Sequence, residues 1–236
     1  MITGANKGLG LETARQLGKM GIQVLIGARD LKAGELAAAQ LCGEGVSAEA
    51  LLIDVTSLPS IAQAAREVAS RHPVLDILIN NAGVLLDDPA RTVSEQSLDV
   101  WRRTFQTNLF GVIAVTQAFL PLLRAAPAAR IVNLSSLLGS LALHADPESP
   151  IYHSQNPAYN ASKSALNAWT LSLAYELRDT PIKVNAAHPG HVQTDMGGKN
   201  APLQVVDGAS TSVALATLGP DGPSGSFSHL GKVLPW

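Results

Sequence analysis

The stretch Thr3-Gly4-Ala5-Asn6-Lys7-Gly8-Leu9-Gly10 runs from a β-branched residue through three glycines straight into a segment of helical period. Glycines permit a tight turn and let the backbone approach a pyrophosphate. The helix that follows aims its free N–H groups and positive dipole end at that anion. The spacing is Gly-x3-Gly-x-Gly, not the Gly-x-Gly-x-x-Gly of the common dinucleotide fingerprint. What raises it above an ordinary turn is its place, at the first strand-to-helix junction of the chain.

Outward from this turn, short aliphatic runs alternate with longer helical ones. Strands are expected at 22–27, 50–55, 75–80, 131–135 and 182–187, with one more near 227–234. Helices are expected at 9–20, 31–41, 58–70, 100–123, 158–178 and 205–218. This alternation predicts an α/β fold built of βαβ units: one doubly wound (Rossmann) domain over residues 1–236, a parallel sheet with helices on both faces. The irregular stretches 144–157 and 188–203 both follow strands, which places functional loops along the carboxyl edge of the sheet. Only Met1, Ile2 and Thr3 precede the first glycine, whereas a central parallel strand usually has about five or six residues. The expectation is a first strand cut short by a start placed too late, lacking several buried side chains at about 1.5–3 kcal/mol each.

Composition narrows the function. With 46% hydrophobic and 15% charged residues in 236, the chain has material for a sizeable core and none of the bias of a disordered segment. A net charge of -2 argues against a phosphate-backbone footprint, so no nucleic-acid partner is expected. The single Cys42 forbids an internal disulfide and fits a reducing, cytoplasmic setting. The histidines show no HExxH spacing and have no cysteine partners, so no metal site is expected. The apolar run 109–123 is interrupted by Gly111, Thr116, Gln117 and Pro121. It falls short of the roughly 18–20 unbroken apolar residues of a spanning helix, and no basic-then-apolar signal segment opens the chain. No membrane partner is expected.

Cofactor choice is read about twenty residues beyond the glycine turn, after the second strand. An acidic residue there would hold a ribose 2′-hydroxyl; this chain has Ala28 followed by Arg29, and an arginine suits a 2′-phosphate. Lys7 supplies a second positive charge from within the glycine turn. Asp30 is free to cap the next helix. NADP (as NADPH) is therefore expected over NAD, the plainer reading being that both cations are ordinary surface residues.

Of three tyrosines, only Tyr159 has a lysine four residues on, Lys163, and residues four apart share a helix face. Moving a phenol from its usual pKa to near 7 needs roughly 4 kcal/mol in favour of the anion. A lysine charge about 4 Å away contributes on the order of 4 kcal/mol at an effective dielectric near 20. The pair is thus expected to hold a phenol of lowered pKa, fit for general acid or base work.

These motifs occur in order with Asn80-Asn81-Ala82-Gly83, Asn108 and Ser135-Ser136. Together they resemble the short-chain dehydrogenase/reductase family over essentially the whole chain. Pro189-Gly190, followed by Val192 and Thr194, resembles that family's nicotinamide-side loop. The resemblance implies roles residue by residue. Tyr159 would give or take the proton at the substrate oxygen, and Lys163 would lower its pKa and hold the nicotinamide ribose. Ser136, rather than Ser135, would hydrogen-bond the substrate carbonyl. Asn108 would bend its helix and hold a water beside the lysine. Gly4, Asn6, Lys7, Gly8, Leu9 and Gly10 would form the cofactor loop, with Arg29 at the 2′-phosphate. Asp54 and Val55 would reach the adenine, and Asn81, Ala82 and Gly83 would line the adenosine side. Pro189, Gly190, Val192 and Thr194 would border the nicotinamide, with Val192 and Thr194 on the carboxamide. Plainer readings stay open: Asn81 as a strand-end turn, Asp54 as a cap, His188 and His191 as loop packing.

Ser136 and Tyr159 stand further apart than in most of the family. The added residues around 144–150, with Asn6-Lys7-Gly8, Ala28-Arg29-Asp30 and Leu234-Pro235-Trp236, resemble the carbonyl reductase-like subgroup, whose longer insertion covers an oligomer surface. A monomer is expected, with a dimer as the alternative, and Tyr152, His153 and Gln155 are expected at the substrate mouth. The implied reaction is reversible, NADPH-dependent reduction of a small-molecule ketone or aldehyde to an alcohol. The alternative from another class is a non-catalytic NADP(H)-binding regulator or scaffold on the same fold.

Overall fold

In the computed structural model, which describes residues 1–236, short strands and longer helices take turns. The first half runs β1 (Ile2–Thr3), α1 (Gly8–Lys19), β2 (Val24–Ala28), α2 (Leu31–Gly43), β3 (Ala48–Leu52), α3 (Leu58–Arg71), β4 (Ile77–Asn80) and α4 (Leu98–Phe105). The second continues through α5 (Val112–Ala125), β5 (Arg130–Leu134), α6 (Leu141–His144), α7 (Pro157–Glu176), β6 (Lys183–Ala187), α8 (Val205–Ala216), β7 (Phe227–His229) and β8 (Lys232–Val233). All eight strands form one sheet, ordered β3-β2-β1-β4-β5-β6-β7-β8. β1 through β7 are parallel. The chain reverses direction across the sheet between β1 and β4, which is where a doubly wound fold opens its crevice.

Alternation along the strands explains why both faces are covered. Ile2, Ile26, Ile79 and Val132 face one side, where Leu17 of α1, Leu41 of α2 and Leu215 of α8 close over them. Leu25, Leu78, Ile131 and Val184 face the other, under Ile61 and Val68 of α3, Phe119 and Leu123 of α5, and Leu173 of α7. Side chains of period two on strands that are apolar at every position require helices on both faces.

Three expectations are corrected. The run 227–234 is not one strand: it turns at Leu230 and Gly231, both at positive φ, and β8 returns antiparallel to β7. Two-residue turns of that conformation are the ones that match strand twist. The expected helix 100–123 is longer, spanning 98–125 with a π-helical turn at Gln106–Gly111 between α4 and α5. Its 28 residues are long and apolar enough to cross a membrane by length and composition, so length alone does not exclude that reading. Its inward side chains Val115, Phe119 and Leu123 are fully buried against the sheet, as in a core helix. The short helix α6, which ends where the added residues begin, has no counterpart in the sequence reading.

β1 is two residues long and central. Beside it lies an apolar cavity of about 450 Å³, lined among others by Leu17, Val24, Leu25, Val68 and Leu75. The Met1 nitrogen donates to the Ile77 carbonyl at 2.7 Å, and the Met1 carbonyl accepts from Ile79 N at 2.9 Å, so the parallel ladder between β1 and β4 includes Met1.

Candidate active site

The glycine turn is held from the next strand over. Thr3 Oγ1 accepts from the backbone N–H groups of Asn81 and Ala82, at 3.0 and 3.1 Å. The Asn81 amide donates to the carbonyls of Thr3 and Gly4, at 2.8 and 3.1 Å. A Cβ on Gly10 would lie 2.6 Å from that amide, 2.7 Å from the Gly4 carbonyl oxygen and 2.8 Å from Ala5 Cα, so the turn can close only on glycine here. No side chain caps the N-terminus of α1, whereas Asp30 caps α2 and Ser57 caps α3. Orphan N–H groups at a helix start beside a glycine turn fit a pyrophosphate. The residues present therefore fit a dinucleotide.

At the end of β2, Arg29 is exposed, and Asp30 is committed to capping, accepting from Lys32 N and Ala33 N at 2.9 and 3.3 Å. The Lys7 ammonium, exposed, pairs with Asp195 at 2.6 Å, across to the loop after β6. A Cβ on Gly8 would lie 3.7 Å from Thr194 Cγ2, so that loop stands directly over the glycine turn. Val192 is buried and bridges to Leu203, and Gly190, at φ 86°, follows Pro189 in the same loop. Asn6 and Leu9 lie half-buried on the turn. Asp54 is tied locally, accepting from Thr56 N and Oγ1 at 2.9 and 2.7 Å, and the Val55 carbonyl packs on Gly111 of the π-helical turn.

Tyr159 and Lys163 stand in the first turns of α7, both buried. The Lys163 ammonium donates to the Leu134 carbonyl at 2.7 Å and lies 5.6 Å from the centre of the Tyr159 ring. A Cβ on Gly83 would lie 3.7 Å from that ammonium, so the Asn81-Ala82-Gly83 turn borders it. Ser136 stands close enough to the Tyr159 phenol to lower its pKa, and it accepts from Leu138 N at 3.2 Å. Its neighbour Ser135 points elsewhere, donating to Asn167 at 2.6 Å. The segment after Ser136 lies flat on α7: a Cβ on Gly139 would come within 2.8–3.0 Å of Lys163 main-chain and Cβ atoms. Asn108, fully buried in the π-helical turn, accepts from Val84 N and donates to Val84 O, both at 2.8 Å, and donates to Ser162 Oγ at 3.0 Å. Its amide thus joins the segment after β4 to α7; both its polar atoms are used in that way.

The expected phenol pKa is corrected. Burial pushes Tyr159 up to about 12, and the nearby Ser136 hydroxyl pulls the other way. The lysine does not bring it down, because desolvation acts on Lys163 as well and lowers its pKa to about 8. The arithmetic from sequence counted the ion pair and left out the desolvation of both partners. Gln155 is also corrected. With Leu141, His144, Asn160 and Ser164 it lines a groove on the side of α7 turned away from Tyr159, and it donates to the Tyr152 carbonyl at 2.8 Å. Tyr152 and His153 pack edge to face in the same segment.

Two more residues shape the site: His188, read from sequence as loop packing, and Asp87, which escaped the sequence reading. His188 Nδ1 accepts from Leu137 N at 3.1 Å, and burial with His229 nearby lowers its pKa to about 4. It is a neutral prop for the segment that carries Ser136. Asp87 accepts from the backbone N–H groups of Ala158 and Tyr159, at 2.8 and 3.1 Å. No local spacing signals a bond across 72 positions.

The chain's relatives agree with this geometry. A family profile described as short chain dehydrogenase matches residues 1–204. The short-chain dehydrogenase anuI of Penicillium roqueforti (strain FM164) is 39% identical over 93% of this chain and 88% of its own. Carbonyl reductase (NADPH) 1 of Mus musculus is 31% identical over 100% of this chain and 97% of its own. Among solved structures, the NADPH-bound carbonyl reductase from chicken fatty liver superposes with a TM-score of 0.85 at 32% identity, covering 100% of this chain and 97% of that one. An uncapped glycine turn over a doubly wound sheet, a Ser136–Tyr159–Lys163 cluster at its carboxyl edge and these relatives lead to one assignment: the chain belongs to the short-chain dehydrogenase/reductase family of oxidoreductases.

Proposed function

We propose that the protein is an NADPH-dependent reductase that converts a small-molecule ketone or aldehyde to an alcohol, acting as a monomer in the cytoplasm. The observation that carries this reading is the buried Tyr159 phenol, with Ser136 close enough to act on its pKa and the Lys163 ammonium 5.6 Å from its ring. Bound NADPH supplies the hydride. Ser136 holds the substrate oxygen, and Tyr159 delivers the proton that turns the developing alkoxide into the alcohol. Burial keeps the phenol protonated at neutral pH, the form from which a proton is given. Lys163, anchored on the Leu134 carbonyl at 2.7 Å, would hold the nicotinamide ribose beside it. Asn108 and His188 position the two segments around the reacting groups.

Arg29 supports NADPH over NADH: it ends β2 where the adenosine ribose lies in folds of this kind, and Asp30 is taken by its cap. Thermal unfolding with each cofactor tests this. NADPH at a hundredfold its dissociation constant is expected to add about 2.7 kcal/mol. Arg29→Ala is expected to weaken NADPH by about 10- to 100-fold, the worth of charge-assisted hydrogen bonds to a phosphate, and to leave NADH unchanged. Equal loss for both cofactors would remove Arg29 from the 2′-phosphate.

A further inference from the structure

The catalytic helix begins without a cap of its own. Asn156, at the N-cap position of α7, makes no side-chain cap hydrogen bond, and Pro157 follows it. The next two N–H groups, those of Ala158 and Tyr159, are satisfied instead by the two carboxylate oxygens of Asp87, at 2.8 and 3.1 Å. Asp87 is 8% exposed and stands in the segment after β4.

That segment is clamped on both sides of Asp87. Upstream, Asn108 holds both the N–H and the carbonyl of Val84 at 2.8 Å. Downstream, the buried Gln96 holds both polar groups of Asp88, accepting from its N–H at 3.1 Å and donating to its carbonyl at 2.7 Å. A side-chain amide that pairs with both polar groups of one residue fixes its backbone much as a strand partner does. Asp87 is therefore presented to α7 from a rigid frame. Because one of its bonds ends on the N–H of Tyr159, the frame is tied to the backbone of the residue that carries the phenol.

We propose that Asp87 is a positioning residue: its carboxylate fixes the start of the catalytic helix against the segment held by Asn108 and Gln96, and so sets where the Tyr159 oxygen stands relative to the substrate carbonyl. This rests on the reading of Tyr159 as proton donor. A local cap at Asn156 would steady the helix equally well but would not tie it to that frame. The tie serves geometry at the phenol, and no contact of Asp87 with substrate or cofactor is required.

Asp87→Asn is the test, since it keeps the shape and one acceptor oxygen while replacing the other with a donor that faces an N–H. Displacements of about 1 Å at a reacting group cost up to about a hundredfold in rate. The variant is expected to lose about ten- to a hundredfold in kcat for carbonyl reduction, with the NADPH dissociation constant within about twofold of the parent chain, since Lys163, expected at the nicotinamide ribose, is anchored separately on the Leu134 carbonyl. Asp87→Glu, which restores both acceptors on a longer arm, is expected to recover part of kcat. A parent-like kcat in Asp87→Asn, or kcat and NADPH affinity falling together, would overturn the proposal. Amide hydrogen exchange gives a readout independent of turnover: Ala158 and Tyr159 are expected to exchange faster in Asp87→Asn while 166–173 of the same helix stay protected. Unchanged exchange at those two amides would overturn the tie. Absence of turnover in the parent chain would instead count against the reductase reading.

Discussion

Replacing Tyr159 with phenylalanine is expected to lower carbonyl turnover about 10²- to 10⁴-fold, the range for loss of a positioned general acid, and to leave NADPH binding intact. The substitution removes one hydroxyl and keeps the ring, which is buried beside Lys163. Ser136 keeps the N–H of Leu138, so the segment after β5 stays in place. The NADPH-induced rise in Tm should therefore match the parent chain. Steady-state turnover measured beside thermal unfolding checks both halves. Retained turnover would remove Tyr159 as the donor; a lost cofactor response would mean that the phenol shapes the cofactor site.

The second large effect belongs to Gly10→Ala. The added methyl would sit 2.7 Å from the Gly4 carbonyl and 2.8 Å from Ala5 Cα, both backbone atoms that cannot swing aside. The turn must open, and the Asn81 amide that staples it to β4 must move as well. Those are the groups proposed to cradle the pyrophosphate, so NADPH affinity is expected to fall by about a hundredfold or more, as for two or more lost charge-assisted hydrogen bonds. At an NADPH concentration a hundredfold above the parent dissociation constant, the stabilisation would shrink from about 2.7 to about 0.4 kcal/mol. An undiminished response would show that the turn is not the phosphate site.

How far the sequence spoke for itself follows from the range of each interaction. The sheet and its two helical layers were legible because aliphatic runs and helical periods are local: Ile131 and Val132 announce a buried strand whichever neighbours they meet. The glycine turn and the Tyr159/Lys163 pair were legible for the same reason, as spacings within ten residues. The π-helical turn at Gln106–Gly111 was hidden, because its sequence reads as continuous helix. What marks it in the structure is Asn108, drawn inward to Val84 and Ser162.

The rest depends on burial and on partners far along the chain. The phenol of Tyr159 goes up rather than down because no periodicity reports how dry its surroundings are. Lys7 meets Asp195, Asp87 meets Tyr159 and His188 meets Leu137 only after the strands have been ordered in the sheet. Gln155 is misplaced by sequence for a related reason. The residues before α7 fold over the helix side that carries Asn160 and Ser164, and loop direction has no period to read.

Hydride transfer to a carbonyl carbon is the central claim, and isotopic transfer tests it most directly. The parent chain would be incubated with NADPH deuterated at both C4 positions and a ketone substrate, and the alcohol analysed by mass spectrometry and NMR. The account predicts an alcohol carrying a single deuterium on the carbinol carbon, with none formed in the Tyr159→Phe chain on the same timescale. Cofactor that binds and raises Tm, yet transfers no deuterium to any member of a broad ketone and aldehyde panel, would contradict it and leave a dinucleotide-binding protein without the proposed chemistry.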